Sequence, residues 1–532
     1  MPDNGAARIL WVDDEIEMLR PHMLFLEEKG YAVESATNGS DAVDEVRDHP
    51  YEVVLLDEQM PGMDGLQTLE AIKEARPGAR VVMVTKSEEE RLMEKALGGQ
   101  ISDYLTKPVN PSQILLTVKR LLEQERLQSE KASETYLRSF NDISRRLSAP
   151  MQHAEWTDLY RELVGYDEEL DADDEGARQI FDDQRQEANR AFGRFVERHY
   201  SRWIDEATEY MPDEERPPLS HEAIPQFVLP ELEEKGGPVV FFVIDCMRYD
   251  QWLEFEDLLQ PLFEIETNFH YGLLPTATPY ARNAIFSGLL PVQIAERYPE
   301  IWTTGEEREH SRNQHEAELL QDLLDRRQAG GPGGGSVEAH YEKLISSEDG
   351  QDFAARAGDL AQQPLSAVVV NFVDILAHSR SDSDVLKEIA PDERAYRALT
   401  RTWFEHSWLL DAFKKLADAG ATCVVTTDHG AVRSLRDTKV IGDRETSTAL
   451  RYKYGRNLKC NDEHAIFVKD PEDYGLPSQG MNTNYIIAKE DYYFVYPTNY
   501  HHYQRKYRDT MQHGGASMEE MILPALTLRS RS

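Results

Sequence analysis

The chain has 532 residues, of which 40% are hydrophobic and 9% are aromatic, and its formal net charge is −39. This length predicts three or four domains with sizeable cores, and the acidity argues against binding to long nucleic acids. Three scattered cysteines do not make a disulfide framework, and no apolar run is long enough to span a membrane. We therefore predict a cytoplasmic protein.

In residues 1–122, several functional residues follow short apolar runs. The segment "ARILWVDDE" contains Asp13 and Asp14, "YEVVLLDE" contains Asp57, "RVVMVTKS" contains Thr85, and "SDYLTKP" contains Lys107. Such runs are typical of the buried strands of a parallel sheet. Ligands of open α/β sheets gather at the carboxyl ends of the strands, so these side chains are predicted to lie at one sheet edge.

This segment resembles the CheY-like receiver domains, which have a flavodoxin-like fold. The resemblance implies that Asp13, Asp14 and Asp57 hold Mg²⁺ through oxygen ligands and that Asp57 accepts a phosphoryl group. The implied switch residues are Thr85, Lys107 and Tyr104. A sensor histidine kinase is the implied partner. Phosphorylation adds about −1.5 to −2 charge and is expected to drive homodimer formation.

A helical segment is predicted next. Leu115, Val118 and Leu122 stand at helical spacing in a run that continues without Pro or Gly as far as "ISRRL". We predict that the last receiver helix continues into a helical linker bundle over residues 123–215. The third domain is then predicted over residues 216–532.

In residues 216–532, five separate segments carry a candidate metal-binding set of six Asp and His residues and one Thr. Three of these segments are apolar runs with carboxylates at their ends, namely "VVFFVID", "VVVNFVD" and "TCVVTTDHG". These acids are therefore predicted to meet at one edge of a mostly parallel sheet. A mixed nitrogen and oxygen ligand set suits zinc, with manganese as the alternative. The complete set is Asp245, Thr278, Asp374, His378, Asp428, His429 and His513.

The order of these motifs resembles the alkaline phosphatase superfamily and, within it, the PglZ-type domain. The shared pattern is an Asp after the first strand, a Ser or Thr nucleophile, Asp-xxx-His, Asp-His-Gly and a late His. The resemblance implies an α/β domain in which Asp374, His378 and His513 hold one zinc ion. The residues implied for the other zinc ion are Asp245, Thr278, Asp428 and His429.

The nucleophile segment, "PTATPYARNAIFSGLLP", contains two threonines. Thr278 lies ten residues before Gly288 and thirteen before Pro291, a spacing that resembles the phosphodiesterase branch of the superfamily. Thr276 is the alternative nucleophile. Ala281 stands where relatives that cleave nucleotide pyrophosphates tend to carry Asn, which argues against simple nucleotide recognition.

Two basic and aromatic stretches, "RYKYGRNLK" and "YHHYQRKYR", lie between His429 and His513. Basic groups bind phosphates and aromatic rings stack on bases, so these stretches favour a short or cyclic oligonucleotide substrate. The alternative is ordinary surface charge with core tyrosines. The predicted phosphate ligands are Arg451, Lys453, Arg505 and Lys506.

Over its whole length, the chain resembles the PorX-type response regulators of Bacteroidota. The resemblance implies control of type IX secretion, contact with an extracytoplasmic-function sigma factor, and zinc-dependent hydrolysis of oligonucleotides. We predict a phosphodiesterase controlled by phosphorylation of Asp57. The alternative is a receiver-controlled scaffold that binds protein partners without catalysis. An intact nucleophile favours the enzyme, because a scaffold does not need one.

Overall fold

A computed structural model gives the fold of the protein. The residues that it describes are 7–76, 78–85, 101–170, 174–206, 216–235, 238–302, 312–328, 337–442, 449–478 and 483–531. They form two compact units, Met1–Thr135 and Tyr136–Ser532. Within these described ranges, no helix combines the length and the apolar character needed to cross a membrane.

The first unit is a five-stranded sheet in which all strands run parallel. Its strands are β1 Arg8–Val12, β2 Ala32–Ala36, β3 Val53–Asp57, β4 Val81–Thr85 and β5 Asp103–Thr106. Its helices are α1 Arg20–Glu28, α2 Gly39–Asp48, α3 Gly65–Ala75 and the first part of α4 Pro111–Leu147. The strand order is β2-β1-β3-β4-β5. This topology places the carboxyl ends of β1, β3 and β4 side by side.

Helix α4 continues without a break from the first unit into the second, as the sequence predicted. The second unit then adds α5 His153–Glu169 and α6 Glu175–Glu206. Buried Trp156, Phe192 and Trp203 from these two helices belong to the same hydrophobic core as the large sheet of this unit. The linker helices are therefore packed on the C-terminal domain. The boundaries at 122/123 and 215/216 stay predictions, and residues 207–215 lie outside the described ranges.

The second unit is built on a six-stranded mixed sheet. Its strands are β6 Val239–Ile244, β7 Phe263–Tyr271, β8 Ala339–Leu344, β9 Leu365–Val370, β10 Thr422–Thr426 and β18 Ile522–Ser530. The order is β7-β18-β10-β6-β9-β8, in which β10, β6, β9 and β8 run parallel and β18 is antiparallel to both of its neighbours. Strands β6 and β9 are buried throughout. The predicted α/β fold class is confirmed.

The described part of the second unit contains further helices and several short strands outside this sheet. Its other helices are α7 Leu229–Lys235, α8 Tyr249–Leu259, α9 Thr278–Ser287, α10 Pro291–Arg297, α11 Glu316–Gln328, α12 Ser347–Arg356, α13 Phe372–Asp382, α14 Asp384–Ile389, α15 Glu393–Glu405, α16 Trp408–Asp418, α17 Tyr500–Tyr507 and α18 Met518–Met521. Its short strands are β11 Val432–Ser434, β12 Arg436–Lys439, β13 Tyr452–Gly455, β14 Ala465–Val468, β15 Asn484–Ala488, β16 Tyr492–Val495 and β17 Thr510–Gln512. Pairing of β11 with β17 joins the chain just after His429 to the chain just before His513.

The structure corrects one predicted strand end. The sequence predicted a strand running to Asp374, but β9 ends at Val370 and Asp374 lies in the first turn of α13. Phe372, at the start of this helix, stacks on Trp403 with 3.6 Å between the ring centroids, and this tertiary contact favours the turn into a helix. Asp374 and His378 consequently lie four residues apart on one helix face.

Two buried histidines predict that the second unit is sensitive to acid. Burial lowers the pKa of both His221 and His270 to about 4, so both rings are neutral in the folded protein. Below pH 6.5 the unfolded chain binds protons that the folded chain does not. The contribution of each neutral ring to the free energy of unfolding is therefore fully present above pH 6.5. It is lost as the pH falls to about 4, and the loss is on the order of 3 kcal/mol per ring.

Urea unfolding at about pH 7.5 and about pH 5 measures this loss. The His270→Gln variant is expected to lose less stability between the two conditions than the unsubstituted protein, because one titrating ring has been removed. An equal loss in both proteins would contradict the assignment.

Candidate metal centre and receiver site

The three predicted receiver acids and Lys107 lie together at the carboxyl edge of the first sheet. Oxygens of Asp13, Asp14 and Asp57 lie within 4.8 Å of one another. The ammonium of Lys107 is 2.8 Å from Asp57 Oδ1 and 2.9 Å from Asp13 Oδ2. Burial raises the pKa of Asp57 although Lys107 opposes the shift. Three carboxylates in such a group fit the oxygen ligands that Mg²⁺ prefers.

The two other predicted switch residues lie on adjacent strands of this sheet. Thr85 is the last residue of β4 and is buried. Tyr104 is half-buried on β5, in register with Met83 of β4. The structure therefore places Thr85 at the edge that carries the acids, and it places Tyr104 on the neighbouring edge strand. Their roles in switching stay predictions.

In the second unit, the predicted ligands fall into two neighbouring groups. The acidic site consists of Asp245, Asp428 and His429, and the histidine-rich site consists of Asp374, His378 and His513. Within each group, the ligand atoms lie within 4.8 Å of one another. The two sites adjoin, because the rings of His429 and His513 stack with their centroids 4.1 Å apart.

The acidic site lies at the ends of the central strands. Asp245 follows β6 directly, and Asp428 and His429 follow β10, so two adjacent parallel strands deliver all three residues. His429 Nε2 is 3.8 Å from Asp245 Oδ1 and 3.8 Å from Asp428 Oδ2. Burial raises the pKa of Asp245 well above its ordinary value. A carboxylate is costly to ionise in such a place unless a positive charge compensates it.

The histidine-rich site is assembled from a helix and a distant loop. Asp374 and His378 come from α13, with 3.4 Å between Asp374 Oδ1 and His378 Nε2. The ring centroids of His378 and His513 are 6.0 Å apart. Burial, together with the neighbouring His429, lowers the pKa of His513 to about 3. The ring of His513 is therefore neutral at neutral pH, the form in which imidazole binds metals.

Both sites fit a bound cation, judged by their unsatisfied oxygens. Asp245 Oδ1 and Asp374 Oδ1 are buried and accept no hydrogen bond from the described residues, although His378 Nε2 lies 3.4 Å from Asp374 Oδ1. A buried polar atom without a partner costs about 1–3 kcal/mol, and a metal ion at each site would give each oxygen a partner. Neutral imidazoles beside carboxylates form the donor set that zinc prefers.

The two candidate nucleophiles have different surroundings. Thr278 is the first residue of α9, is half-buried, and its Oγ1 lies 3.0 Å from His429 Nε2. Thr276 is fully buried and its hydroxyl is already bonded, since it donates to the Gly515 carbonyl at 2.7 Å and accepts from the Gly514 amide at 3.1 Å. The geometry favours Thr278, and Thr276 anchors the loop that carries His513.

Sequence reasoning missed one residue of this centre, Arg282. Its guanidinium donates from Nε to Asp428 Oδ2 at 3.1 Å and from Nη2 to Asp245 Oδ2. The side chain is 1% exposed. A sequence signal existed, because Arg282 lies four residues after Thr278 in a segment that forms a helix, and residues at this spacing share a helix face.

The predicted phosphate ligands divide into buried and exposed pairs. The structure corrects the prediction for Arg451, which is fully buried and bonds the carboxylate of Glu520 and the Glu490 carbonyl. Lys453 is also buried, with its ammonium 5.0 Å from the ring centroid of Tyr496. Buried, bonded cations stabilise the fold and are not presented to a ligand, so neither residue keeps the predicted role.

Arg505 and Lys506 remain candidates for contact with substrate. Both are exposed on α17, where the rings of Tyr503 and Tyr507 stack with their centroids 5.7 Å apart. Helix α17 leads directly into β17 and then His513. The exposed basic and aromatic surface is therefore on the segment next to the histidine-rich site in sequence.

A receiver followed by helices and an alkaline-phosphatase-like α/β domain defines a response regulator with an enzyme-type output domain. Residues 225–528 match the BREX system PglZ alkaline phosphatase-like domain, residues 9–119 match the response regulator receiver domain, and residues 126–204 match the PorX response regulator linker domain. The PglZ match covers more than half of the chain, which therefore belongs to the PglZ family. The three matches together confirm the predicted resemblance to the PorX-type response regulators.

Curated relatives and solved structures match a smaller part of the chain. ResD, a transcriptional regulatory protein of Bacillus subtilis (strain 168), is 33% identical over 124 residues, which are 23% of this chain and 51% of ResD. SrrA, a transcriptional regulatory protein of Staphylococcus aureus, is 32% identical over 133 residues, which are 25% of this chain and 55% of SrrA. The chain spans about half the length of these relatives.

Among solved structures, a CheY-like receiver domain protein from Methanospirillum hungatei JF-1 is 34% identical, with a TM-score of 0.21, and the match covers 23% of this chain and 98% of that one. Receiver domains generally bind Mg²⁺ and alkaline-phosphatase-like domains use metals, in keeping with the three groups of ligands described above.

Proposed function

We propose that this protein is a response regulator whose PglZ-type domain is a zinc-dependent phosphodiesterase with Thr278 as its nucleophile. The observation that carries the proposal is the position of the Thr278 hydroxyl. Its oxygen lies 3.0 Å from His429 Nε2, beside the acidic site and at the first residue of α9. A scaffold would not require a hydroxyl at this place.

In the proposed centre, Asp374, His378 and His513 hold one zinc ion. The residues that hold the other are Asp245, Asp428 and His429, together with Thr278. Bound zinc ions supply positive charge that stabilises the attacking and leaving oxygens of an in-line displacement.

The protein itself contributes the nucleophile and its orientation. The Thr278 oxygen bonds the phosphorus and its proton passes to solvent, while the P–O ester bond breaks and the leaving oxygen takes up a proton from solvent. Water then hydrolyses the phosphothreonine and restores the hydroxyl, so that one difficult step is divided into two. The N-terminal end of α9 favours negative charge on the attacking oxygen. His429 Nδ1 faces the Gly430 carbonyl, so Nε2 is the ring nitrogen that would hold the zinc ion, and the Thr278 hydroxyl lies 3.0 Å from it.

Hydrolysis of bis-p-nitrophenyl phosphate by the full-length, zinc-loaded protein tests the proposal. We expect turnover that disappears when zinc is removed with a chelator and returns when zinc is added back. A correctly folded, zinc-loaded protein without turnover would favour the alternative, a receiver-controlled scaffold that binds protein partners.

We propose a short or cyclic oligonucleotide as the substrate, supported by the exposed cations of α17. Replacing both Arg505 and Lys506 by alanine is expected to reduce cleavage of a short oligonucleotide by about tenfold, the size of two exposed charge contacts. Hydrolysis of the small aryl diester, which has no further phosphates, is expected to stay unchanged.

The exposed Lys414 on α16 gives a matched control, because this helix ends where β10 begins and so lies at the opposite edge of the sheet. Lys414→Ala should affect neither substrate. Equal losses on both substrates in the Arg505 and Lys506 variant would assign its defect to the metal centre or to folding.

We further propose that the linker helices transmit the phosphorylation state of Asp57 to the metal centre. Asn189 on α6 donates to both carboxylate oxygens of Glu519, at 3.1 and 3.0 Å, and accepts from the Met518 amide at 2.9 Å. The backbone of Glu519 packs against Gly430, where an added Cβ would lie 1.9 Å from the Glu519 carbonyl oxygen. Gly430 follows His429 directly, so α6 is connected to a proposed metal ligand by contacts.

Asn189→Ala is expected to lower the ratio of phosphorylated to unphosphorylated activity at least fivefold. We expect this change because the substitution removes the hydrogen bonds that connect α6 to the segment beside His429. Activity with and without a beryllofluoride phosphoryl analogue measures the ratio. Gln179→Ala on the same helix, whose partner is Asp183, is the control and should keep the ratio of the unsubstituted protein, and an unchanged ratio in Asn189→Ala would contradict this route.

The resemblance to PorX-type response regulators supplies the remaining proposals. They are a sensor histidine kinase as the phosphoryl donor, homodimer formation on phosphorylation, contact with an extracytoplasmic-function sigma factor, and control of type IX secretion. Each stays a prediction about the cellular role of the protein and does not affect the chemistry proposed for the metal centre.

A further inference from the structure

The two candidate metal sites differ in the charge that surrounds them. In the histidine-rich site, Asp374 has His378 as its ion partner, and no Lys or Arg in the described part of the chain forms an ion pair with Asp374. In the acidic site, Asp245 and Asp428 both bond the guanidinium of Arg282. The acidic site therefore contains a fixed positive charge that the histidine-rich site lacks.

The position of Arg282 makes this charge a permanent part of the site. The side chain is 1% exposed and belongs to α9, whose first residue is Thr278. Its Nε lies 3.7 Å from Glu316, a third buried carboxylate. An arginine side chain does not lose its proton in proteins, so the guanidinium is charged whether or not a metal is bound.

We propose that Arg282 is a positioning residue that acts as the internal counterion of the acidic site and makes this site bind zinc more weakly than the histidine-rich site. The inference deepens the proposed function, since it rests on the two metal sites proposed above but not on the reaction. By bonding Oδ2 of both carboxylates, Arg282 holds Asp245 and Asp428 in place without a cation.

The physical basis is the balance of charges at the acidic site. The guanidinium offsets one of the two carboxylate charges of the acidic site, which leaves the same net charge as the one carboxylate of the histidine-rich site. Because Arg282 already bonds Oδ2 of both acids, and the acidic site has one imidazole where the other site has two, the acidic site offers a cation fewer free ligand atoms. A divalent cation that enters the site lies close to the positive guanidinium of Arg282. Because the site is buried, water screens the repulsion between these two charges poorly, and zinc binding is weakened. Zinc should therefore occupy the histidine-rich site first and the acidic site at higher concentration.

Zinc titration of the metal-free, full-length protein, followed by calorimetry with a competing chelator, tests this order. We expect two affinities that differ at least tenfold. Arg282→Met should tighten the weaker site at least tenfold, because it removes the charge and keeps the length of the side chain. Arg282→Lys should stay close to the unsubstituted protein, because it keeps the charge.

Ligand variants identify the site that changes. In a His378→Ala background, which removes the histidine-rich site, Arg282→Met should tighten the remaining site. In a His429→Ala background, which removes the acidic site, Arg282→Met should leave the remaining affinity unchanged. Arg216→Met is the control, because Arg216 is equally buried but bonds Glu222, at 2.7 and 2.8 Å; it should alter neither affinity.

If metal-free Arg282→Met is folded but too unstable for titration, thermal unfolding with and without zinc replaces the titration. Zinc should then raise the melting temperature of Arg282→Met more than that of the unsubstituted protein, and it should raise that of Arg216→Met to the ordinary extent. A folded Arg282→Met with unchanged or weaker zinc binding in the His378→Ala background overturns the inference, as does a variant that zinc stabilises no more than the unsubstituted protein.

Failure of this inference is distinguishable from failure of the proposed function. Two unequal zinc affinities, of which Arg282→Met tightens the weaker, in a protein that hydrolyses no diester would support the role of Arg282 and overturn the phosphodiesterase. Turnover with equal zinc affinities, unaltered by Arg282→Met, would overturn the role of Arg282 alone.

Discussion

Thr278→Ala is expected to abolish phosphodiester hydrolysis while leaving the protein folded and loaded with zinc. The substitution removes the hydroxyl proposed to attack phosphorus, and the loss of a covalent nucleophile reduces kcat by about 10³-fold or more. The six Asp and His ligands remain, so the metal content should not change. Turnover of bis-p-nitrophenyl phosphate, measured beside the zinc content, gives the result.

Two further threonine variants sharpen this test. Thr278→Ser keeps a hydroxyl and should retain measurable activity. Thr276→Ala should lower stability instead, because the buried Thr276 hydroxyl bonds Gly514 and Gly515 in the loop that carries His513. Full activity in Thr278→Ala would exclude a covalent role for this residue, and loss of activity only in Thr276→Ala would identify Thr276 as the nucleophile.

Asp245→Asn is expected to remove the zinc ion of the acidic site. Diesterase activity should then fall by at least about 10³-fold, because two-metal centres need both cations to stabilise the attacking and leaving oxygens. The substitution keeps the shape of the side chain but removes the charge of the oxygen that is buried without a partner. Zinc content should fall from about two ions to about one per chain.

Asp374→Asn provides the reciprocal comparison. It should remove the ion of the histidine-rich site and leave that of the acidic site in place. Competition with a chelator separates the two variants, because the ion that remains should be the tighter one in Asp245→Asn and the weaker one in Asp374→Asn. Two retained ions in both variants would mean that these carboxylates are not the ligands.

The proposed control by phosphorylation can be tested with the same activity measurements. The receiver site and the metal centre lie in different compact units, and the continuous helix α4 belongs to both. If the contacts of α6 with the segment beside His429 transmit the signal, the effects of Asp57 and Asn189 substitutions on activity should not be additive. Sites without shared contacts normally give additive effects, and coupled sites do not.

The amino-acid sequence by itself was sufficient to predict the central strands that precede Asp57, Asp245 and Asp428, but not the helix that carries Asp374. Apolar, β-branched runs before Asp57, Asp245 and Asp428 are typical of buried strands, and the carboxyl edges of parallel strands then bring distant acids together. The motif order was also sufficient to predict the family, and the helical spacing predicted that α4 continues beyond the receiver.

Only the tertiary structure decided which of the remaining polar side chains serve the site. Arg282 and Arg451 are both arginines in basic or polar sequence contexts, yet one lies between two proposed metal ligands and the other bonds Glu520 in the core. Thr276 and Thr278 are two residues apart, but their hydroxyl groups have different partners. The Thr276 hydroxyl bonds the backbone of Gly514 and Gly515, and the Thr278 hydroxyl lies beside His429. Burial and pairing of a polar group depend on neighbours that are distant in the sequence, from Asp245 for Arg282 to Gly515 for Thr276, and local sequence patterns do not specify them.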